Sequence, residues 1–222
     1  MKRSSMLLLA LVFVFISGLL YTDYLLAIAY TKIDLKDPFK NFQHVAVQPF
    51  KAIRISGGNG YTIRLIRGDS FTIRLLNSRK SFFKMKRSAD TLSIDFGVAN
   101  QTYQHPKAAT VGLLITMPRI DHIQLSGTNN EVAAFIQDSL TLVQDKQTFT
   151  RVNNVNLHYL QLLGVGKSYL DFESENNVTS LDMNMKNSTI TDFHQVIVDN
   201  FNPVLLDSAG IVLYGQSLNN LR

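Results

Sequence analysis

The 222-residue chain contains no cysteine and no tryptophan, and only five prolines. Without thiols there are no disulfides, no cysteine-based zinc sites, no thiol catalysis and no lipidated N-terminal cysteine. Motifs with the spacing of a nucleophile–base pair, a phosphate loop or a calcium loop are also lacking. The five histidines, His44, His105, His122, His158 and His194, are scattered without metal-ligand spacing. The reading is therefore of a non-enzyme with no catalytic residues, no metal and no cofactor. Long amphipathic helical patterns are absent past residue 30, so a core has to come from strands. Fourteen phenylalanines and eight tyrosines supply its large apolar groups.

Met1-Lys2-Arg3 is a short positive segment, followed by the continuous apolar run Met6–Leu20 and a second run, Tyr21–Tyr30, interrupted by Thr22 and Asp23. A membrane-spanning helix needs about 20 apolar residues, whereas a cleavable signal needs about 7–15 and a small-x-small site. Residues 1–30 are read as an uncleaved signal anchor or transmembrane helix, with cleavage near Ala29 as the alternative. Lys2 and Arg3 would hold the N-terminus inside, anchoring the chain in a bacterial inner membrane with the remainder facing the periplasm. Cleavage would release it to the periplasm or the cell surface. Residues 31–49, punctuated by Pro38 and Pro49, form a connector with an edge strand expected at Val45–Val47.

The net charge of +5 is unevenly spread. Residues 31–110 carry 14 Lys/Arg against 5 Asp/Glu, and residues 111–222 carry 6 against 11. The basic residues alternate with apolar ones, which points to a basic strand face rather than a nucleic-acid tail. From Phe50 to Phe96 the apolar residues Ile53, Ile55, Tyr61, Ile63, Leu65, Phe71, Ile73 and Leu75 recur two apart, predicting a meander of short strands. Gly57-Gly58-Asn59-Gly60 and Arg67-Gly68-Asp69 read as tight turns between strands. Arg67-Gly68-Asp69 is thus a turn rather than an attachment tripeptide. Lys80, Lys84, Lys86 and Arg87 interleave with Phe82, Phe83 and Met85, a pattern that can bind single-stranded nucleic acid. Behind an export segment that role is set aside, and no nucleic-acid partner is expected. Val111–Thr116 reads as a buried strand.

From Ile120 onward the pairs Ile123/Leu125, Leu140/Leu142, Leu160/Leu162, Leu181/Met183 and Val204/Leu206 recur at spacings near 20. Each is followed by another apolar residue, Val132, Phe149, Tyr169, Ile190 and Ile211. Asn-Asn or Asp-Asn recurs at 129–130, 153–154, 176–177, 199–200 and 219–220. Short strands at such a period predict an all-β, solenoid-like domain over residues 50–222, with apolar pairs inward, asparagines at corners and a polar C-terminal cap from Tyr214. Two carboxylate constellations are notable. Asp171, Glu173 and Glu175 alternate as a solvated acidic face or a calcium-ligating one. Asp171 and Asp192, one repeat apart, are the candidate pair for general acid/base work on a glycan.

The runs FKAIRISGGNGYTIRLIRGDSFTIRL, TLSIDF and LLITMPRIDHIQLSG, in that order, resemble the head GIN domain of candidate auto-transporter adhesins, a domain of unknown function in Bacteroidetes envelope proteins. LQLLGVGKSYLDF and LLDSAGIVLYG look like weakened copies of its coil repeat. The resemblance spans residues 50–214. It implies a right-handed β-helix-like domain on an envelope protein and no catalytic residue. The function expected is a non-catalytic, membrane-anchored module that binds an envelope protein or polysaccharide. The alternatives are a glycan hydrolase or lyase and an accessory partner of an envelope signalling or transport system.

Overall fold

A computed structural model describes residues 3–31, 39–97, 110–187, 189–215 and 217. The chain divides into two units, Met1–Asn41 and Phe42–Arg222. In the first, helix α1 spans Arg3–Thr31. Its stretch Leu8–Thr31 is long and apolar enough to cross a membrane. At about 1.5 Å per residue it matches a hydrocarbon layer of about 30 Å. Three of its hydroxyls bond within the helix: Ser17 donates to the Phe13 carbonyl at 2.8 Å, Thr22 to Leu19 at 2.8 Å and Thr31 to Ile28 at 2.9 Å. A polar group in lipid requires such internal partners.

The second unit is mostly β, in two large sheets. In chain order the strands are β1 (Phe42–Val45), β2 (Ala52–Gly57), β3 (Thr62–Arg67), β4 (Thr72–Leu76), β5 (Phe83–Ser88), β6 (Thr91–Phe96), β7 (Val111–Met117), β8 (His122–Ser126) and β9 (Asn129–Ala133). They continue as β10 (Ile136–Asp145), β11 (Phe149–Asn153), β12 (Asn156–Gly164), β13 (Tyr169–Phe172), β14 (Asn176–Met185), β15 (Ile190–Phe193), β16 (Val196–Leu205) and β17 (Gly210–Leu213). One sheet runs β1-β4-β7-β3-β9-β11-β13-β15-β17 and the other β16-β14-β12-β10-β8-β2-β6-β5. From β8 on, successive strands alternate between the sheets, and each pairs in parallel with the strand two places on.

The first half is not a meander. β2 and β3 lie in different sheets, joined through the corner Gly57-Gly58-Asn59-Gly60, and β7 inserts between β3 and β4. The reason lies in β7 itself. Its sequence VGLLITM is apolar almost throughout, and Leu113, Leu114, Ile115 and Met117 are all buried, which suits a central strand. The Arg67-Gly68-Asp69 turn is tied down by the Gly68 amide, 3.0 Å from the Met117 carbonyl. The first strand, β1, ends at Val45 and pairs antiparallel with β4, so the edge strand begins earlier than the sequence indicates. β5 closes the other sheet antiparallel to β6. Its exposed Lys84, Lys86 and Arg87 protect that edge from further pairing.

Both sheets turn one face to a shared core. Leu140, Leu160 and Leu181 align, as do Ile53, Ile123, Leu142, Leu162 and Met183. The opposite sheet contributes Leu65, Val132, Val152, Phe172 and Phe193, the last two stacked at 5.0 Å. Each fully buried side chain of this size contributes about 1.5–3 kcal/mol, and a one-residue slip would turn every one outward. That fixes the register.

The register also corrects the sequence. Ile123 aligns with Leu142, not Leu140, because the column ending in Leu125 continues as Gln144 and Gly164. Phe201 and Pro203 align with Leu181 and Met183, so Val204 falls on the outer face beside Asn184, and Val204 and Leu206 are 49% and 51% exposed. Phe149, Tyr169 and Ile190 share an outer row rather than the core. The paired asparagines do not mark equivalent corners. Asn129 and Asn130 begin β9, Asn176 begins β14, and Asn200 lies within β16. Among the described members of these pairs only Asn154 takes a left-handed backbone. His105, the 99–109 loop and Asn219-Asn220 lie outside the described residues, as does most of the expected cap.

Candidate functional site

Because alternate residues of each strand face outward, in-register pairing lines them up in rows across the sheets. On the first sheet one row runs His44–Arg74–Leu114–Arg64–Glu131–Arg151–Asp171–Asp192–Val212. Arg64 Nε donates to Glu131 Oε2 at 2.8 Å. Asp171 and Asp192 are direct neighbours, as their one-repeat spacing suggests. They are also buried, 6% and 5% exposed. The Tyr169 hydroxyl donates to Asp192 Oδ2. Burial first, and then this bond, push the Tyr169 phenol far above its ordinary range. His194 Nε2 lies 3.4 Å from Asp171 Oδ1, and Arg151 Nη1 lies 3.8 Å from Glu173 Oε2. The ring of Tyr169 stacks on Phe149 at 5.2 Å, and that of His194 on Tyr214 at 4.3 Å.

This geometry corrects the solvated acidic face. Asp171 is closed over by its neighbours, Glu173 is half-buried, and only Glu175, past the end of β13, is exposed. The described residues contain no group of three or more metal-ligating side chains. Both carboxyls are largely enclosed, whereas general acid/base work needs them within hydrogen-bond reach of substrate.

The second sheet presents a different outer face. One row reads Ser88–Thr91–Ala52–His122–Thr141–Gln161–Asp182–Asn202. It is threaded by side-chain hydrogen bonds: Tyr159 to Asp182 at 2.6 Å, Asn202 to Asp182 at 3.1 Å, and Thr141 to Gln161 at 3.4 Å. The bond from Tyr159 and then that from Asn202 hold the Asp182 carboxyl below its usual range. His122 is held below its ordinary pKa by burial and then by Arg54.

At the N-terminal end of this face two further rows, Lys86–Ser93–Arg54–Gln124 and Lys84–Asp95–Ser56–Ser126, line a groove of about 390 Å³. A larger concavity, about 710 Å³, lies among Gln48, Phe50, Lys51, Phe71, Arg87 and Asp90. Its cations are already engaged: Lys51 with Asp90 at 3.8 Å, Arg119 with Asp121 at 2.9 Å, and Arg87 with Gln48. Sequence reasoning noted Lys84 and Lys86 but missed Arg54, some 30 residues earlier. The available signal was Arg54's outward place between Ile53 and Ile55.

No protein-family model matches the sequence, and no curated protein matches it. Among solved structures, the chain is similar to a candidate adhesin of Bacteroides fragilis, at 12% identity over 78% of this chain and 94% of that one, with a TM-score of 0.49. A candidate adhesin of Parabacteroides merdae is 8% identical over 78% and 95%, with a TM-score of 0.36. A candidate lipid-binding protein of Parabacteroides distasonis is 7% identical over 78% and 94%, with a TM-score of 0.35. At these scores the similarity assigns neither fold nor activity.

Proposed function

We propose that this chain is a membrane-anchored envelope protein whose β unit, a right-handed β-helix-like domain of the head GIN type, is a non-catalytic binding module for an envelope polysaccharide. The observation that carries the reading is the outer face of the second sheet. It offers hydroxyl, amide and charged groups in straight rows, one strand spacing apart, as a polymer of hydroxylated units requires. The alternation of parallel strands between two sheets, with register steps of 20 and 21 residues from Leu140 to Leu160 to Leu181, supports the coil reading. The apolar α1 supports anchoring, with Lys2 and Arg3 on the inner side and the β unit in the periplasm.

Full-length protein in nanodiscs, applied to a glycan array and incubated with the retained glycans, tests this. Retention without product release is the expected outcome. Release of shorter glycans that stops in Asp171→Asn or Asp192→Asn would replace the binding module with the hydrolase or lyase. Loss of about 29 residues from the mature mass would replace the anchor with a cleaved signal.

A further inference from the structure

The groove on the second sheet carries more charge than its surroundings balance. Arg54, Lys84 and Lys86 face it from β2 and β5, with Asp95 as its one carboxylate. Among the described residues none of the three cations makes an ion pair, whereas Lys51, Arg64, Arg119 and Arg151 each do. Between them stand Ser56, Ser93, Gln124 and Ser126, whose side chains make no hydrogen bond among the described residues. Ser93, Gln124 and Ser126 are half-buried, Ser56 is exposed, and all four sit on paired strands, so little backbone ordering is lost when they bind.

We infer that this groove binds the acidic groups of a linear anionic polysaccharide, with Arg54, Lys84 and Lys86 taking its carboxylates or sulfates and the serines and Gln124 taking its hydroxyls. The inference rests on the binding-module reading and names the ligand's charge and place. Three features select this occupant. The first is charge complementarity, three unpaired cations against one acid. The second is spacing. Neighbouring strands lie about 4.8 Å apart, so Arg54 and Lys86, two strands apart, open a track about 10 Å long, suited to successive acidic units rather than one small anion. The third is the lining. It contains no aromatic ring on which a nucleic-acid base could stack, and its volume is on the scale of a few-unit ligand site.

The test uses full-length protein in nanodiscs of neutral lipid. Binding of polygalacturonate, dextran sulfate, neutral dextran and a single-stranded oligonucleotide is measured by calorimetry, beside the triple variant Arg54→Gln/Lys84→Gln/Lys86→Gln. The expected result is binding of the two acidic glycans over neutral dextran and the oligonucleotide. It weakens about tenfold or more in the triple variant, and again as salt rises from about 0.01 M to about 0.15 M. The control Lys51→Gln/Arg119→Gln, in the other concavity, keeps full affinity. Exposed lysine and arginine changes leave folding intact, and an unchanged circular dichroism spectrum verifies that. Acidic-glycan binding undiminished in the triple variant overturns the groove and leaves the binding module standing. Preference for the oligonucleotide overturns the polysaccharide. Failure to bind either acidic glycan overturns the inference, and failure to retain any glycan on the array overturns the function beneath it.

Discussion

Gly57 ends β2 at φ +145°, a backbone conformation that side chains rarely adopt, and an added Cβ there would overlap the Phe96 carbonyl. Gly57→Ala should therefore cost on the order of 2 kcal/mol or more in chemical denaturation, because strain and backbone overlap add. Gly210→Ala, with open space around its Cβ, should stay within about 1 kcal/mol. Equal costs would contradict the corner geometry. Tyr169 gives a pH prediction. Its phenol is raised in the folded protein, so above about pH 10 the unfolded tyrosine loses its proton while the folded one keeps it. Its stabilising contribution is full below that pH and is lost as pH rises toward the folded value. Stability measured from pH 8 to 11 should fall less steeply in Tyr169→Phe than in the native chain, and identical slopes would refute the buried phenol–carboxylate contact.

Three of the connections from the second sheet to the first, β10–β11, β12–β13 and β14–β15, share one device. Thr148 donates to the carbonyl of Asp145, Ser168 to Val165 at 2.7 Å and Thr189 to Lys186 at 2.8 Å, always three residues back. All three are buried. Thr148 also accepts from the Gly127 amide at 2.8 Å, linking two turns of chain. Thr148→Ala should cost about 1–3 kcal/mol in a urea titration, since a buried hydrogen-bonded group loses its partner, and a cost near zero would sink the device. These connections explain why strands were legible and corners only in part: Gly57 and Gly166 mark theirs, whereas others carry no such signal. Period-two alternation is local, so β2, β3 and β4 stand out in the sequence. Several left-handed positions fall on Lys146, Gln147, Lys167 and Ser208, residue types that do not announce such a backbone, beside Gly127, Gly166, Asn187 and Asp207, which do. Tertiary hydrogen bonding imposes it. The register was obscured in the same way: Gln144 and Gly164 interrupt an apolar column, and Met185 fills the space Gly164 leaves, which an added Cβ would take. The candidate groove joins β2 to β5 through β6, a pairing of distant segments that no local pattern carries.

At the scale of the whole chain, anchoring and β architecture are separate claims. Anchoring predicts that the full-length protein stays with membranes through alkaline carbonate extraction, while a chain cut after Ala29 does not. The architecture predicts which distant residues are neighbours. The outer row Thr91–Ala52–His122–Thr141–Gln161–Asp182–Asn202 orders positions by strand rather than by sequence. As the native chain has no cysteine, spin labels can be placed at Thr91 and, in turn, at Gln161, Asp182 and Asn202 of the full-length protein. Pulsed electron paramagnetic resonance should give separations that grow by about 5 Å per strand, approaching about 29 Å between Thr91 and Asn202. Narrow distributions in that order would establish the stacked, in-register architecture on which the groove depends. Broad distributions, or separations that do not increase from Gln161 to Asp182 to Asn202, would contradict it.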